Sequence, residues 1–464
     1  MGELVRRNLR FFLIFSAAAL LLRLIFIFRF PGVVTDSFIY GDIAKNWLQH
    51  GVYGLSGPDA ISPTYIRLPG YPAFLAVIFA VFGMEHYRAV LFVQMFFDLG
   101  TCFLCAGVAL RLMNARTAKV AFALACLCPF LANYSAAALT ETLEVFFTAL
   151  ALDFAIGALQ ENSLRQWAKC GMACAAAIVL RPDGALLVIA IGLYLFRRFL
   201  FGKDARAEAG LHARFALLTA GILVAAIAVI PLVPWTVRNW RVFHRFQPLA
   251  PRYANEENEF VPMGFNLWTK TWIADYASVE EIYWAVPGST IDATKLPARA
   301  FDTRQQEVQT TALVDDYNNV LHVTPDLDET FAMLAAERIG RHPLRYFLGL
   351  PLLRIGDMWL RPRTEMLPCD TRWWEFNDDA RWSALAIGLG VINLFYVACA
   401  LVGCVGARKL PFIGLPVLFV ILRSGFLGTL ENPEPRYTLE MYPIVIVFAA
   451  YALSLIGRSG STSV

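Results

Sequence analysis

The chain has 464 residues, of which 58% are hydrophobic and 17% charged, with a formal net charge of +3. An average soluble domain is about half apolar and about a quarter charged, so this composition points to lipid as solvent and excludes a strongly basic nucleic-acid-binding surface. Of the nine cysteines only Cys369 lies in a polar segment, which excludes a disulfide framework, and the lone Cys102/Cys105 pair sits in an apolar stretch as small core residues.

The first apolar block, 11–30, is long, contains Arg23 and is followed by no small-residue cleavage motif, so it predicts a retained first span. Further blocks follow at 89–110, 118–131, 143–159, 168–180, 185–200, 215–235, 384–405, 411–430 and 442–456. A crossing helix needs about 20 apolar residues to span about 30 Å of hydrocarbon. Two weaker blocks, 71–82 and 346–360, fall short; the second is interrupted by Arg354 and Asp357.

Lys and Arg in short loops collect on the cytoplasmic side. If both weak blocks lie in the interface, Arg6, Arg7 and Arg10, then Arg111, Arg116 and Lys119, then Arg165 and Lys169, then Arg197, Arg198, Lys203, Arg206 and Arg214, then Arg408 and Lys409, then Arg458 all fall on that side. The expected fold is therefore an all-α polytopic membrane bundle of about ten spans. Residues 1–236 form a membrane core whose first external loop is 31–88, residues 237–383 an irregular or mixed external cap with an interfacial helix, and 384–464 the last spans.

In the first external loop, Pro31-Gly-Val-Val-Thr-Asp36-Ser-Phe-Ile-Tyr40 leads into a helical pattern with Tyr40, Ile43, Ala44, Trp47 and Leu48 on one face. Thr35 or Asp36 can cap its start and Gly51 can end it. Then comes Arg67-Leu-Pro-Gly-Tyr71-Pro72. Downstream stand Asn133-Tyr-Ser-Ala-Ala-Ala-Leu-Thr-Glu141-Thr-Leu, Leu180-Arg181-Pro-Asp183-Gly, Pro234-Trp-Thr-Val-Arg238-Asn239-Trp and Pro435-Arg436-Tyr437.

Each fragment is weak alone, but in this order they resemble the GT-C-fold glycosyltransferases, close to the protein mannosyltransferase and lipid A aminoarabinose transferase group (glycosyltransferase family 39-like). That family often carries a second acid directly after the first; here the position is Ser37. The resemblance implies transfer of a sugar from a polyprenyl-phosphate donor to a lipid, glycan or protein acceptor on the non-cytoplasmic side, with inversion in one displacement. It also implies residence in a bacterial inner membrane.

By resemblance Asp36 is the base that takes the acceptor proton, and Glu141 is a second acid that orients the acceptor or helps hold a divalent cation. Arg67 is the expected donor-phosphate ligand, since a guanidinium meets two phosphate oxygens at once. Arg238 and Arg436, at external ends of spans, complete the cluster. Tyr437 and Asp183 orient substrate, with Asp183 alternatively paired to Arg181 or capping a helix, and Asp42 is a further candidate. A monophosphate leaving group can be neutralised by arginines, so no metal is required, although a divalent cation fits the scheme.

Blander roles stand beside each: Asp36 as a helix cap, Arg67, Arg238 and Arg436 as interface anchors, Glu141 as a first-turn carboxylate favoured by the helix dipole. Arg23, Asp98, Asp153 and Arg423 lie inside apolar blocks, where charges are usually paired or face a cavity. They leave open a transporter or flippase for a lipid-linked or anionic solute, and a non-catalytic assembly subunit is a third reading.

Overall fold

The computed structural model describes residues 1–201, 208–376 and 379–456. Of the basic residues used for topology, Lys203, Arg206 and Arg458 lie outside them. Two compact units emerge: residues 1–257, 395–420 and 439–464 form the first, and 258–394 with 421–438 the second.

In chain order the helices are α1 (Gly2–Arg7), α2 (Leu9–Arg29), α3 (Thr35–His50), α4 (Gly70–Phe82), α5 (Tyr87–Leu112), α6 (Ala115–Leu127), α7 (Pro129–Ser135), α8 (Glu141–Glu161), α9 (Leu164–Leu180), α10 (Ala185–Phe201), α11 (Glu208–Val229) and α12 (Leu232–Phe243). They continue with α13 (Met263–Lys270), α14 (Tyr276–Ser278), α15 (Arg304–Val320), α16 (Pro325–Arg341), α17 (Leu350–Leu360), α18 (Ala380–Ala407), α19 (Gly414–Gly428) and α20 (Tyr442–Ile456). Among the described residues the only sheet is the antiparallel hairpin of β1 (Gly54–Ser56) and β2 (Ile61–Pro63) in the first loop. The chain is thus an all-α polytopic membrane protein.

Each of the ten strong apolar blocks is helical. Among the described residues, seven helices are long and apolar enough to cross a membrane, or eight if the bent pair α6–α7 is one span. The count falls below ten because α9 and α19 have only 17 and 15 residues, short of the roughly 18–20 that reach across hydrocarbon. The two weak blocks form α4, of 13 residues, and α17, of 11, about 20 Å or less at about 1.5 Å per residue.

A buried charge holds the break in the bent pair. The two halves meet at 51°, and Pro129, which has no N–H, cannot donate to the carbonyl of Ala125. Arg23 of α2, fully buried, donates instead: Nη2 to Ala125 O at 3.1 Å, Nη1 to Cys126 O, and Nε to Asp98 of α5 at 2.6 Å. The intramembrane Arg23 and Asp98 therefore pair with each other and tie three helices. Asp153 is likewise paired, 2.9 Å from Arg111.

The second unit has a helical core and no strand among its described residues, which corrects the expectation of an irregular or mixed cap. Trp268, Trp272, Val314, Tyr317 and Phe331 are buried together. α13 lies against α16 closely enough that a Cβ on Gly264 would stand 1.9 Å from Asp328 O.

Candidate functional site

The loop 31–88 is assembled from its own polar contacts. Helix α3 starts after extended Val34, whose N–H donates to the Ser37 hydroxyl at 3.1 Å while the Ser37 N–H returns to Val34 O at 2.8 Å. Ser37 thereby closes the start of the helix onto Val34. The helix ends as expected at Gly51, in the left-handed conformation at φ 69°, which glycine adopts without a Cβ clash. From the polar face of α3, Asp42 accepts from the Ser56 N–H at 2.7 Å and its hydroxyl at 2.8 Å, and Asn46 donates to Gly54 O at 3.1 Å. Asp42 thereby anchors the hairpin. Burial pushes its carboxyl up, but the two Ser56 bonds and Lys45 outweigh that and hold it below the usual range.

Asp36 accepts from Arg67 Nη2 at 2.9 Å. The Arg67 guanidinium also lies over the Tyr40 ring, 5.6 Å from its centre. The backbone that carries Arg67 is pinned: Tyr53 donates its hydroxyl to Arg67 O at 2.9 Å. Arg238 in turn donates to Tyr53 O and Thr64 O, both at 2.7 Å, and packs among the rings of Tyr53, Trp235 and Phe243. Arg238 is therefore a clamp on the loop, held by carbonyls.

Glycines bring this loop onto the bundle. A Cβ on Gly70, in the Arg67-Leu-Pro-Gly-Tyr-Pro motif, would stand 2.5 Å from Val179 O, so α4 starts directly on the end of α9. Gly32 exchanges backbone hydrogen bonds of 2.8 Å with Ala136 and Ala138, fixing the end of α2 to the turn before α8.

That turn and the end of α9 carry a second cluster. Arg181 stands 3.5 Å from Glu141, 3.6 Å from Glu144 and 3.4 Å from Asp183, with both glutamates almost fully buried. Glu144 also lies within electrostatic reach of Glu440. The two clusters flank Tyr40, whose hydroxyl lies within electrostatic reach of Arg67, Asp36, Arg181 and Glu141 and is pushed up to about 12, chiefly by burial.

Of the sequence candidates, Asp36 and Arg67 are in contact, and Glu141 and Asp183 share Arg181. The hub itself, Arg181, was read only as a partner for Asp183, and Glu144 and Tyr40 were missed. Glu144 follows Glu141 by one helical turn on the same face, a spacing that could have flagged it.

Arg436 and Tyr437 belong to the second unit and are built as one device. Arg436 Nε is 2.6 Å from Glu434, its guanidinium lies over the Tyr437 ring, and Tyr437 donates its hydroxyl to Glu434. Two fully buried arginines fix the backbone on either side. Arg363 donates to Pro435 O and the Thr438 hydroxyl, both at 2.5 Å, and Arg423 to Tyr437 O at 3.2 Å. Among the described residues no group of three or more His, Cys, Asp or Glu is arranged to hold a metal ion.

Residues 63–235 match the family model described as dolichyl-phosphate-mannose-protein mannosyltransferase. No curated protein matches the chain in sequence. Among solved structures, the archaeal oligosaccharyltransferase AglB from Archaeoglobus fulgidus, in complex with an inhibitory peptide and a dolichol-phosphate, superposes with a TM-score of 0.53 at 12% identity, covering 98% of this chain and 52% of that one. The same enzyme in complex with Zn and sulfate gives 0.53 at 13%, covering 97% and 49%. ArnT from Cupriavidus metallidurans bound to undecaprenyl phosphate gives 0.41 at 15%, covering 97% and 78%. The chain thus has the GT-C fold that its motif order resembles, and spans about half the length of the oligosaccharyltransferase.

Proposed function

We propose that this protein is an integral-membrane, inverting glycosyltransferase that moves a sugar from a polyprenyl-phosphate donor to an acceptor on the non-cytoplasmic side of a bacterial inner membrane. The observation that carries the reading is the contact of Asp36 with Arg67, 2.9 Å apart in the loop 31–88, in a chain whose residues 63–235 match the family model of dolichyl-phosphate-mannose-protein mannosyltransferases.

In the proposed step, the acceptor hydroxyl oxygen attacks the anomeric carbon from the face opposite the phosphate. The bond from that carbon to the phosphate oxygen breaks, its electron pair stays on the phosphate, and the hydroxyl proton passes to Asp36. The released lipid monophosphate carries nearly two negative charges, and Arg67 meets them with paired donors. Donor phosphate thus replaces Asp36 as the partner of Arg67, and the carboxylate turns to the acceptor. Glu141, with Asp183, sets the position of Arg181 and through it the wall of the sugar site beside Tyr40. Arg238 is proposed to hold the loop in register. No step is routed through a metal.

The charges on which a transporter reading would rest are engaged structurally: Arg23 with Asp98, Asp153 with Arg111, and Arg423 with the Tyr437 carbonyl. Glycosyl transfer from a polyprenyl-phosphate sugar in proteoliposomes tests the proposal. Solute flux without glycosyl product would replace it with the transporter reading.

A further inference from the structure

The Arg67 guanidinium has two kinds of partner. Its N–H groups go to oxygen: Nη2 donates to Asp36 at 2.9 Å and Nη1 to Ile66 O at 3.3 Å. Its central carbon lies over the Tyr40 ring, 5.6 Å from the ring centre. The first kind is exchangeable, since a donor can pass from a carboxylate to a phosphate. The second survives that exchange, because attraction of a cation to a ring face uses no acceptor oxygen.

The ring is held independently of Arg67. Tyr40 is buried and follows Asp36 by one turn on the same face of α3. A Cβ on the neighbouring Gly41 would overlap the Tyr87 hydroxyl, and Tyr87 donates to Ser37 O at 3.3 Å, so α3 is seated on α5 at this point. The Tyr40 ring meets that of Tyr71 in α4 edge to face, with centres 5.0 Å apart and planes at 77°, an arrangement that the ring quadrupoles favour.

Behind Tyr71 the support becomes polar. Tyr71, fully buried, donates its hydroxyl to Gln94 of α5 at 2.8 Å, and Gln94, also fully buried, donates to Ala137 O at 2.6 Å. Turning either side chain would leave a buried polar group without its hydrogen bond, a cost of about 1–3 kcal/mol. A continuous support therefore runs from the Arg67 guanidinium through Tyr40, Tyr71 and Gln94 to the turn that precedes Glu141 and α8.

We propose that Tyr40 is a positioning residue for donor binding: its ring, fixed by Tyr71 and Gln94, holds the Arg67 guanidinium in place while the partner of its N–H groups changes from Asp36 to the donor phosphate. The inference rests on the reading of Arg67 as the phosphate ligand, and it assigns the work to the ring rather than to the hydroxyl. Binding of undecaprenyl phosphate to the full-length protein in detergent tests it, read beside glycosyl transfer. Tyr40→Leu should bind about five- to thirty-fold more weakly than wild type, the range of a partly to fully desolvated cation–π contact, and Tyr40→Phe, which keeps the ring, should recover most of that affinity. Tyr40 replaced by phenylalanine with one, two or three ring fluorines loses the negative ring face stepwise at nearly constant shape. The dissociation constant should therefore climb with each fluorine, which decides the matter even if Tyr40→Leu folds poorly, and the climb should vanish in Arg67→Ala. A flat series with Arg67 present, or Tyr40→Phe as weak as a folded Tyr40→Leu, would overturn the proposal. A rising series in a protein that forms no glycosyl product would refute the transferase reading and leave the role of Tyr40 standing.

Discussion

Asp36 receives a hydrogen bond from Arg67 at 2.9 Å, one residue before the Ser37 hydroxyl that takes the Val34 N–H at the start of the same helix. A base and an anion-binding cation that touch before substrate arrives form a coupled pair, so their substitutions are not independent. Asp36→Asn and Arg67→Ala should each lower kcat/KM by about 10²–10⁴-fold, and the double variant should lose much less than the product. Arg67→Lys should recover little, because a point charge does not reproduce the paired donors of guanidinium. A double-mutant cycle on transfer rates checks this, and strictly multiplicative effects would separate the two residues.

Gly70 meets the backbone of α9 so closely that a methyl group would stand 2.5 Å from Val179 O. Gly70→Ala should therefore destabilise the protein by about 1–3 kcal/mol, the usual cost of overpacking, and lower transfer by displacing Arg67. Gly192→Ala, where a Cβ meets nothing within 4 Å, is the control and should leave the melting temperature unchanged or raise it. Thermal melts in one detergent compare the two.

The turn bearing Arg436 depends on a residue distant in sequence. Arg363→Met would leave the Pro435 carbonyl and Thr438 hydroxyl without their buried donor, at about 1–3 kcal/mol each. Arg363→Lys, which keeps one donor, should recover part of that loss, and thermal melts in one detergent show it. An unchanged melting temperature in Arg363→Met would show that the turn does not depend on Arg363.

Asp357 of α17 accepts from the Tyr276 N–H at 3.0 Å, and burial pushes its carboxyl up to about 6 despite Arg361 and that bond. A folded value raised above the unfolded one, about 3.9, means that folding binds a proton. The stabilisation is complete below about pH 4 and is lost as pH rises through about 6. Asp357→Asn, which keeps an acceptor for Tyr276 without a charge, should gain stability relative to wild type at pH 8 and lose that advantage near pH 4. Melting curves at the two pH values show it; an unchanged difference would mean the carboxyl is not the titrating group.

The helices were legible because lipid imposes one period and one length on the chain, and each strong apolar block became a helix. Asp36 and Arg67 were legible because a short motif carried them. The closure of Ser37 onto Val34 was not, since several side chains in that turn can accept the same N–H groups and local sequence does not choose among them. Nor was the clamp role of Arg238, which rests on carbonyls of Tyr53 and Thr64, groups that every residue possesses. The Arg181 hub depends on the meeting of α8 with the end of α9, a tertiary contact that charge spacing shows only in part through Glu141 and Glu144. The helical second unit was obscured by its polar composition, its core resting on a few aromatic residues such as Trp268 and Trp272.

The most direct test is transfer of a radiolabelled sugar from polyprenyl phosphate to acceptor in proteoliposomes that hold either wild-type protein or Asp36→Asn. Wild type should form glycosylated product with inverted anomeric configuration, and the variant should bind donor but turn over at least about 10²-fold more slowly. Undiminished transfer by Asp36→Asn, or product of retained configuration, would contradict the assignment of Asp36 as the base.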